Sequence, residues 1–200
     1  MKRLALLSAL LISSAVAQAA SAATSPSFLD RQTNNVEMIY NVDPALQCFR
    51  SARDTAELRY GLEHCDIALR DPHMNFRAQT VLNRGIIRYA MGDRSGALRD
   101  FRLALDYNPT MGDAYLNQAL VFAAERRPDE AFAAINQGIA MGSAKLHVAY
   151  YIRAGLEEDA GRTAQAYRDY RRALTIKPDY QPALREVERF RVVSRQAPAS

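Results

Sequence analysis

Small and bulky apolar residues recur through the middle of the chain with a period of 34 residues. Gly85 is followed 34 residues later by Ala119, and Ala97 is followed by Ala131 at the same interval. After one inserted residue near Leu146, the pattern continues into a third unit. The bulky positions that repeat in this register are Val81, Tyr115 and Tyr150, then Phe101, Ile135 and Tyr170. A period of this length predicts an array of similar supersecondary units.

Each unit is predicted to be a pair of helices joined by a turn, because its apolar residues fall at helical spacing between turn-forming residues. The turns within the units are predicted at Gly92-Asp93, Arg127-Pro128 and Gly161-Arg162. The second helices are predicted to end at Asn108-Pro109, Gly142-Ser143 and Lys177-Pro178. Proline disfavours a helical conformation in the residue before it. Small residues at the repeated positions let the two helix backbones approach closely.

The run NRGIIRYAMGDRSGALRDFRLALDYNP, residues 83–109, closely resembles a tetratricopeptide repeat. The resemblance covers about 78–180 in three coincident units. It implies an all-α fold, a right-handed α-solenoid of antiparallel helical hairpins. The three repeats are placed at 78–111, 112–146 and 147–180. The departures from the family pattern are Arg84 and Arg153 at a commonly aliphatic site, and Arg88 and Glu157 at a usually aromatic one.

Further segments are predicted on both sides of the three repeats. Gly61, Ala68 and Leu69 match Ala97, Ala104 and Leu105 of the repeat at 78–111 with an offset of 36, which predicts a degenerate hairpin over 42–77. A capping helix is predicted over 181–195, because an open solenoid end would leave apolar surface in water. Residues 23–41 are expected to form an extended or disordered arm, and 196–200 a tail.

The amino terminus has the pattern of a signal peptide over 1–22. A basic start is followed by an uncharged apolar stretch over 4–16 and by small residues that predict cleavage after Ala19 or Ala22. An uncleaved anchor is the alternative, although the stretch is short for a membrane span. No later segment has eighteen consecutive apolar residues, so the mature chain is expected to have no transmembrane segment. The predicted location is the periplasm, with secretion outside the cell as the alternative.

The net charge of +4 argues weakly for anionic partners. The predicted signal peptide contains two basic residues and no acidic one, so the mature chain has 24 basic and 22 acidic residues. Nucleic acid is therefore not expected as a partner of this exported chain.

Cys48 and Cys65 are the only cysteines, and in an exported protein an even count favours a disulfide. The repeat register aligns Cys48 with Arg84 and Cys65 with Phe101, on two helix faces that approach each other within one hairpin. A competing capping pattern at Asp54 and Glu57 would start the second helix earlier and separate the two cysteines. A redox-active pair and free thiols are the alternatives, but Cys-x-x-Cys is absent.

Residue patterns for catalysis or for a cofactor are weak in this chain. His64, His73 and His147 lack zinc-ligand spacing, and no nucleophile elbow or phosphate-binding glycine loop occurs. The acidic run over 157–159 is interpreted as a solvated helix face beside Arg153 and Arg162. We therefore expect a protein that is not an enzyme and has no cofactor or metal.

The resemblance implies a concave groove lined by the first helices of successive hairpins. The predicted groove residues are Leu82, Asn83, Ile86, Tyr89, Leu116, Asn117, Leu120, Tyr151 and Ile152. Family members that bind acidic tails need polar residues where this chain has Leu82, Ile86, Val148 and Ile152, and only Asn117 matches. An amphipathic helix or an extended apolar segment of another protein is the expected ligand. Alternatively, the arm or a second copy of the chain covers the groove.

These observations predict an adaptor or scaffold of the cell envelope that binds a peptide or helix of another protein. Two other functions stay open. One is a thiol-disulfide protein that uses Cys48 and Cys65, and the other is a self-assembling structural protein.

Overall fold

The computed structural model describes residues 43–55 and 57–195, with side chains as far as Phe190, and the regular structure of these residues is entirely α-helical. The predicted signal peptide, the arm and the tail lie outside the described residues. The helices are α1 (Pro44–Asp54), α2 (Leu58–Leu69), α3 (Arg77–Ala90), α4 (Arg94–Tyr107), α5 (Gly112–Ala124), α6 (Pro128–Ala140), α7 (Leu146–Asp159), α8 (Thr163–Ile176) and α9 (Gln181–Arg195).

Local sequence explains where several helices begin. Asp43 precedes α1, and its side-chain oxygen accepts a hydrogen bond from the Ala45 N–H at 2.9 Å. Asp93 caps α4 in the same way, by accepting a bond from the Gly96 N–H at 2.8 Å. Such caps satisfy backbone donors that have no partner within the helix. Pro128 is the first residue of α6, where its missing N–H costs no helical hydrogen bond.

The turns within the three repeats share a left-handed residue two positions after the last residue of the first helix. Gly92 and Gly161 have φ angles of 88° and 75° at this position. The middle repeat has Arg126 there, with φ 59°. Glycine adopts this conformation without steric cost, whereas an arginine Cβ collides with the adjacent backbone.

Among the described residues, the helices form two compact units, one ending at Pro109 and the other beginning at Thr110. In the N-terminal unit, α1 packs against α2, α2 against α3, and α3 against α4, while α1 also contacts α3. The core includes Val81, Ile87 and Phe101. A Cβ atom at Gly85 would lie 2.5 Å from Cε1 of Phe101, so glycine permits the close approach of α3 and α4.

The C-terminal unit contains two hairpins, α5 with α6 and α7 with α8, followed by α9. A Cβ atom at Gly138 would lie 2.5 Å from Cδ2 of Leu116, so the middle hairpin also depends on a glycine contact. Helix α9 packs against α8, where Val187 joins a buried cluster with Ala154, Ala166 and Tyr170.

The predicted all-α fold of consecutive helical hairpins is confirmed. Helices α2 and α4 begin at residues 58 and 94, which reproduces the offset of 36 inferred from Gly61 and Ala68. Helix α1 has 11 residues whereas α3 has 14, so the first hairpin is a shortened version of the second.

Candidate protein-interaction surface

Four predicted groove residues lie on α3, in the N-terminal unit. Leu82, Asn83 and Ile86 are at most 3% exposed, whereas Tyr89 is partly exposed. Burial raises the pKa of Tyr89. A partner can therefore reach Tyr89 directly, but it reaches the other three only if neighbouring parts of the chain move aside.

The other predicted groove residues lie in the C-terminal unit. Leu116, Asn117 and Leu120 of α5 are buried, as is Ile152 of α7. Tyr151 is partly exposed, and its ring centroid lies 5.5 Å from that of Tyr170. We use the name first-helix face for the side of α3 in the N-terminal unit, and separately for the sides of α5 and α7 in the C-terminal unit, that carry the predicted groove residues.

Two polar side chains on α3 have buried atoms without a hydrogen-bond partner, namely Gln79 Nε2 and Asn83 Oδ1. Gln79 and Asn83 are 7% and 1% exposed. Residues four apart share one side of a helix, so a donor and an acceptor lie one turn apart. At the equivalent position of α5, Asn117 Nδ2 donates to the Asp113 carbonyl oxygen at 2.8 Å. Sequence reasoning missed Gln79, although its spacing from Asn83 was visible.

Arg84 stands where the repeat family commonly has an aliphatic residue, and in the N-terminal unit it forms a network of ion pairs. Arg84 Nη2 and Nε lie 2.7 and 3.1 Å from the two carboxylate oxygens of Asp100. Arg84 also bonds to Asp66 at 2.8 Å, and Arg88 bonds to Asp100 at 2.7 Å. Burial lowers the pKa of Arg84, but the hydrogen bonds to Asp100 and Asp66 outweigh that effect and the pKa is raised.

The same arrangement recurs in the C-terminal unit. Arg153 Nε and Nη2 lie 2.6 and 3.0 Å from the Asp169 carboxylate, and Arg153 Nη1 bonds to Asn136 at 2.7 Å. The hydrogen bond to Asp169 raises the pKa of Arg153. Asp66 and Asn136, the acceptors on the preceding hairpins, are each the ninth residue of their helix.

A sequence signal for both networks was present. Each arginine precedes its aspartate by 16 residues, as Arg84 with Asp100 and Arg153 with Asp169. The middle repeat has Gln118 and Ala134 at these two positions, so arginine and aspartate occur together or not at all. These networks connect helices and explain the departures from the family pattern without involving a ligand.

Cys48 and Cys65 face each other between α1 and α2, and both are fully buried. Their Cα atoms are 4.8 Å apart, within the range that a disulfide spans. The register inferred from the repeat therefore describes this hairpin better than the competing capping pattern, since α2 begins at Leu58 and Glu57 makes no side-chain cap hydrogen bond.

The acidic and histidine side chains that the sequence analysis considered contact neighbouring residues of the fold. Glu157 pairs with Arg162, and Glu158 accepts a hydrogen bond from the Tyr170 hydroxyl at 2.7 Å. His64 Nδ1 lies 2.9 Å from the Tyr60 carbonyl oxygen. Burial lowers the pKa of His147, and nearby Lys177 and Lys145 lower it further. In the described part of the chain, no three acidic, histidine or cysteine side chains are grouped as metal ligands.

This geometry defines a protein of consecutive helical hairpins whose buried polar contacts serve packing. The tetratricopeptide repeat family profile matches residues 147–180. The fold is that of a tetratricopeptide-repeat protein, and 147–180 is such a repeat by sequence as well. Repeats of this kind are generally non-catalytic protein-interaction modules.

Solved structures with the same fold include PilW, described as a widely conserved type IV pilus biogenesis factor. It is 20% identical, with a TM-score of 0.65, covering 82% of this chain and 72% of PilW. TTC0263, a thermophilic tetratricopeptide-repeat protein of Thermus thermophilus, has 20% identity and a TM-score of 0.64, covering 76% of this chain and 83% of its own.

A third structure is the first tetratricopeptide-repeat domain of Spaghetti (RPAP3) bound to an HSP90 peptide. It has 18% identity and a TM-score of 0.55, covering 62% of this chain and 99% of that domain. At these identities the likeness concerns the fold. Curated protein sequences contain no match. Among the described residues, no helix has the length and apolar content to cross a membrane.

Proposed function

We propose that this protein is a non-catalytic adaptor of the cell envelope that binds a segment of another protein on its first-helix face. The observation that carries the proposal is the tetratricopeptide-repeat fold, which is also the fold of the Spaghetti (RPAP3) domain solved with a bound HSP90 peptide. Tyr89 and Tyr151 are the predicted groove residues that a partner can contact without movement of the chain, because both are partly exposed. Aromatic side chains are frequent anchors of protein interfaces.

The apolar character of the face favours an apolar segment over an acidic tail. Leu82, Ile86, Val148 and Ile152 stand at positions where tail-binding relatives need polar groups, and all four are buried. A carboxylate placed against them would lose hydration without gaining a charged partner. The peptide-bound relative therefore supports peptide binding as a use of this fold, with a different ligand chemistry here.

Capture of the partner tests this proposal. The protein is crosslinked in the cells that export it, and the captured proteins are identified by mass spectrometry. Tyr89→Ala with Tyr151→Ala removes the two partly exposed aromatic side chains of the first-helix face. Tyr107→Ala is the matched control, because Tyr107 is 50% exposed on a second helix.

One defined protein is expected with the wild type and the control, and the double variant is expected to reduce its recovery by about tenfold or more, as for aromatic hot spots at interfaces. If the double variant retains every captured protein, the first-helix face is not the binding surface. Sedimentation at several concentrations tests the self-assembling alternative, which requires association of the purified chain with itself.

Export is also part of the proposal, and it is supported by the signal-peptide pattern over 1–22 and by the likeness to a pilus biogenesis factor. Cell fractionation and sequencing of the amino terminus test it. A periplasmic protein that begins at Ala20 or Ala23 supports signal-peptide processing at one of the two predicted sites. A full-length protein in the cytoplasm contradicts export.

We further propose that Cys48 and Cys65 form a structural disulfide in the exported protein. Complete burial of both residues supports a structural role, because reactive cysteines need access to their substrates. Thiol titration of the protein in denaturant is expected to find no free thiol before reduction and two afterwards. Rapid reduction of the folded protein by mild thiols favours the redox alternative instead.

A further inference from the structure

We infer that helix α1 stays packed on α2 and α3 only while the Cys48–Cys65 disulfide is intact, and that reduction of the bond releases α1 while α3 and α4 stay folded. These four helices belong to the N-terminal unit. The inference rests on the disulfide proposed above and adds what that bond controls. The oxidation state of the two cysteines therefore decides whether α1 and α2 form a hairpin.

Helix α1 buries little apolar surface. Its buried residues are Cys48, Phe49, Ser51 and Ala52, of which Phe49 is the only large apolar one. Phe49 packs with Leu46 of the same helix. Apolar burial is the main force that holds a helix on its neighbours, and 11 residues are too few for a stable helix in water. Packing alone therefore holds α1 weakly.

Small residues make the contact between α1 and α2. Ser51 lies against Gly61, where an added Cβ atom would overlap the Ser51 Cβ. Cys48 precedes Ser51 by three residues and Cys65 follows Gly61 by four, so the disulfide lies one helical turn from this contact. Small side chains let the two backbones approach closely, but they remove little apolar surface from water.

The loop between α1 and α2 opposes their association. Thr55 and Glu57 have φ angles of 49° and 50°. This left-handed conformation is sterically unfavourable for residues that have a Cβ atom. Release of α1 lets both residues relax, so the strain in the loop favours release once the disulfide is broken.

Cys48 connects α1 to both neighbouring helices. Its Sγ atom is bonded to Cys65 on α2 and lies 3.8 Å from the Thr80 carbonyl oxygen on α3. An intact bond keeps the two Cα atoms within about 7 Å of each other, so α1 cannot leave α2 at this point. Both cysteines are 0% exposed, and a reductant therefore reaches the sulfur atoms only when α1 opens transiently.

The last helix of the chain shows how a terminal helix is held without a covalent bond. Val187 of α9 is buried with Ala154, Ala166 and Tyr170. The Phe190 ring centroid lies 5.5 Å from that of Tyr167. Because large side chains hold α9, its packing is expected to be independent of the oxidation state, and α9 serves as an internal control.

Reduction of the disulfide by a dithiol is a balanced exchange. One reagent thiolate attacks a sulfur of the bond, forms a mixed disulfide and releases the other protein sulfur as a thiolate. The second reagent thiolate displaces the remaining protein sulfur, so the reagent becomes a cyclic disulfide and its two protons pass to the cysteines. In the reverse direction, the disulfide of an oxidising protein accepts the two electrons. Because the cytoplasm keeps thiols reduced, α1 packs only after export.

Hydrogen exchange of the exported protein, measured by mass spectrometry before and after reduction with dithiothreitol, tests the inference. Amides within 44–54 are expected to exchange on the order of a hundredfold faster after reduction, as for the opening of a loop of this length. Protection of 77–107 and 181–190 should not change. Equal protection of 44–54 in both forms overturns the inference. Loss of protection over 77–107 also overturns it, since the bond then holds the whole unit.

The oxidised and reduced proteins have the same sequence, so a change in packed atoms cannot explain a difference between them. Cys48→Ala with Cys65→Ala is the control for the reagent. Fast exchange of 44–54 is expected in this variant with and without dithiothreitol, and slow exchange there contradicts the inference.

Thiol titration of the same sample in denaturant separates this inference from the proposed function. Free thiols before reduction contradict the proposed disulfide. An oxidised sample in which reduction leaves α1 protected contradicts the release of α1 alone, and the disulfide and adaptor proposals stand.

Discussion

The hairpin of α3 and α4 and the hairpin of α5 and α6 fill equivalent positions with different chemistry. The first places Arg84 against Asp100, while the second has Gln118 and Ala134 at those positions. The first turns at Gly92 and caps α4 with Asp93, while the second turns at Arg126 and begins α6 without a side-chain cap hydrogen bond.

This contrast shows that the repeat constrains pairs of positions more strongly than single ones. A half-buried arginine is tolerated in α3 because a buried carboxylate on the facing helix α4 neutralises it. In the middle repeat, the uncharged residues Gln118 and Ala134 occupy the positions of Arg84 and Asp100. Exchanging residues between the two hairpins therefore measures how strongly each pair is coupled.

The largest expected effect is that of Asp100→Ala, which gives α4 the residue found in α6. Two arginines, Arg84 and Arg88, lose their shared carboxylate, which is 2% exposed. The free energy of unfolding should fall by about 3 kcal/mol in urea denaturation, since removing one partner of a buried pair leaves an uncompensated charge. Arg84→Gln with Asp100→Ala should recover part of this loss. A loss in the double variant that equals the sum of the losses from Arg84→Gln alone and Asp100→Ala alone would show that the pair is not coupled.

Gly85→Ala is expected to have the next largest effect, because it gives α3 the residue found in α5. The added methyl group meets Phe101 at 2.5 Å, and overpacking should reduce the free energy of unfolding by about 2 kcal/mol. Adding Phe101→Ile reproduces the middle pair of Ala119 with Ile135 and should restore part of the stability. Thermal denaturation followed by circular dichroism compares the three forms, and an unaffected single variant would contradict the close contact.

Arg126→Gly is expected to stabilise the protein by about 1 kcal/mol, because glycine adopts the left-handed conformation without the arginine's steric cost. The reverse substitutions, Gly92→Ala and Gly161→Ala, should each destabilise by a similar amount. The midpoint of urea denaturation measures all three. A lower midpoint for Arg126→Gly would mean that contacts of the arginine side chain outweigh the backbone effect.

Asp93→Ala removes the cap of α4 and is expected to have an effect of similar size, a loss of about 1 kcal/mol at neutral pH. The Gly96 N–H bond holds the pKa of the Asp93 carboxyl below its usual range. A group with a lowered folded-state pKa stabilises fully above the unfolded pKa, and this contribution disappears as pH falls through the folded pKa. The difference between wild type and variant should therefore narrow in acid, and a constant difference would contradict the titration of this cap.

The positions of the predicted interaction residues were accessible from sequence, but their burial was not. The repeat register placed Leu82, Asn83 and Ile86 on one first helix, as observed. Their exposure depends on side chains that approach from other parts of the chain, and periodicity within a helix contains no record of those neighbours. Gln79 was overlooked because the sequence does not show that its Nε2 atom is buried without a hydrogen-bond partner.

The sequence alone determined the helices, their turns and their succession as hairpins, because capping, proline, glycine and apolar spacing act within a few residues. It also determined which helices carry the two cysteines, because the repeat register extends to the first hairpin. Only the tertiary structure decided that Arg84 and Arg153 are paired with aspartates 16 residues away, and that Gln79 and Asn83 retain unpartnered atoms. The physical reason is that ion pairing and hydrogen-bond satisfaction depend on groups brought together from separate helices.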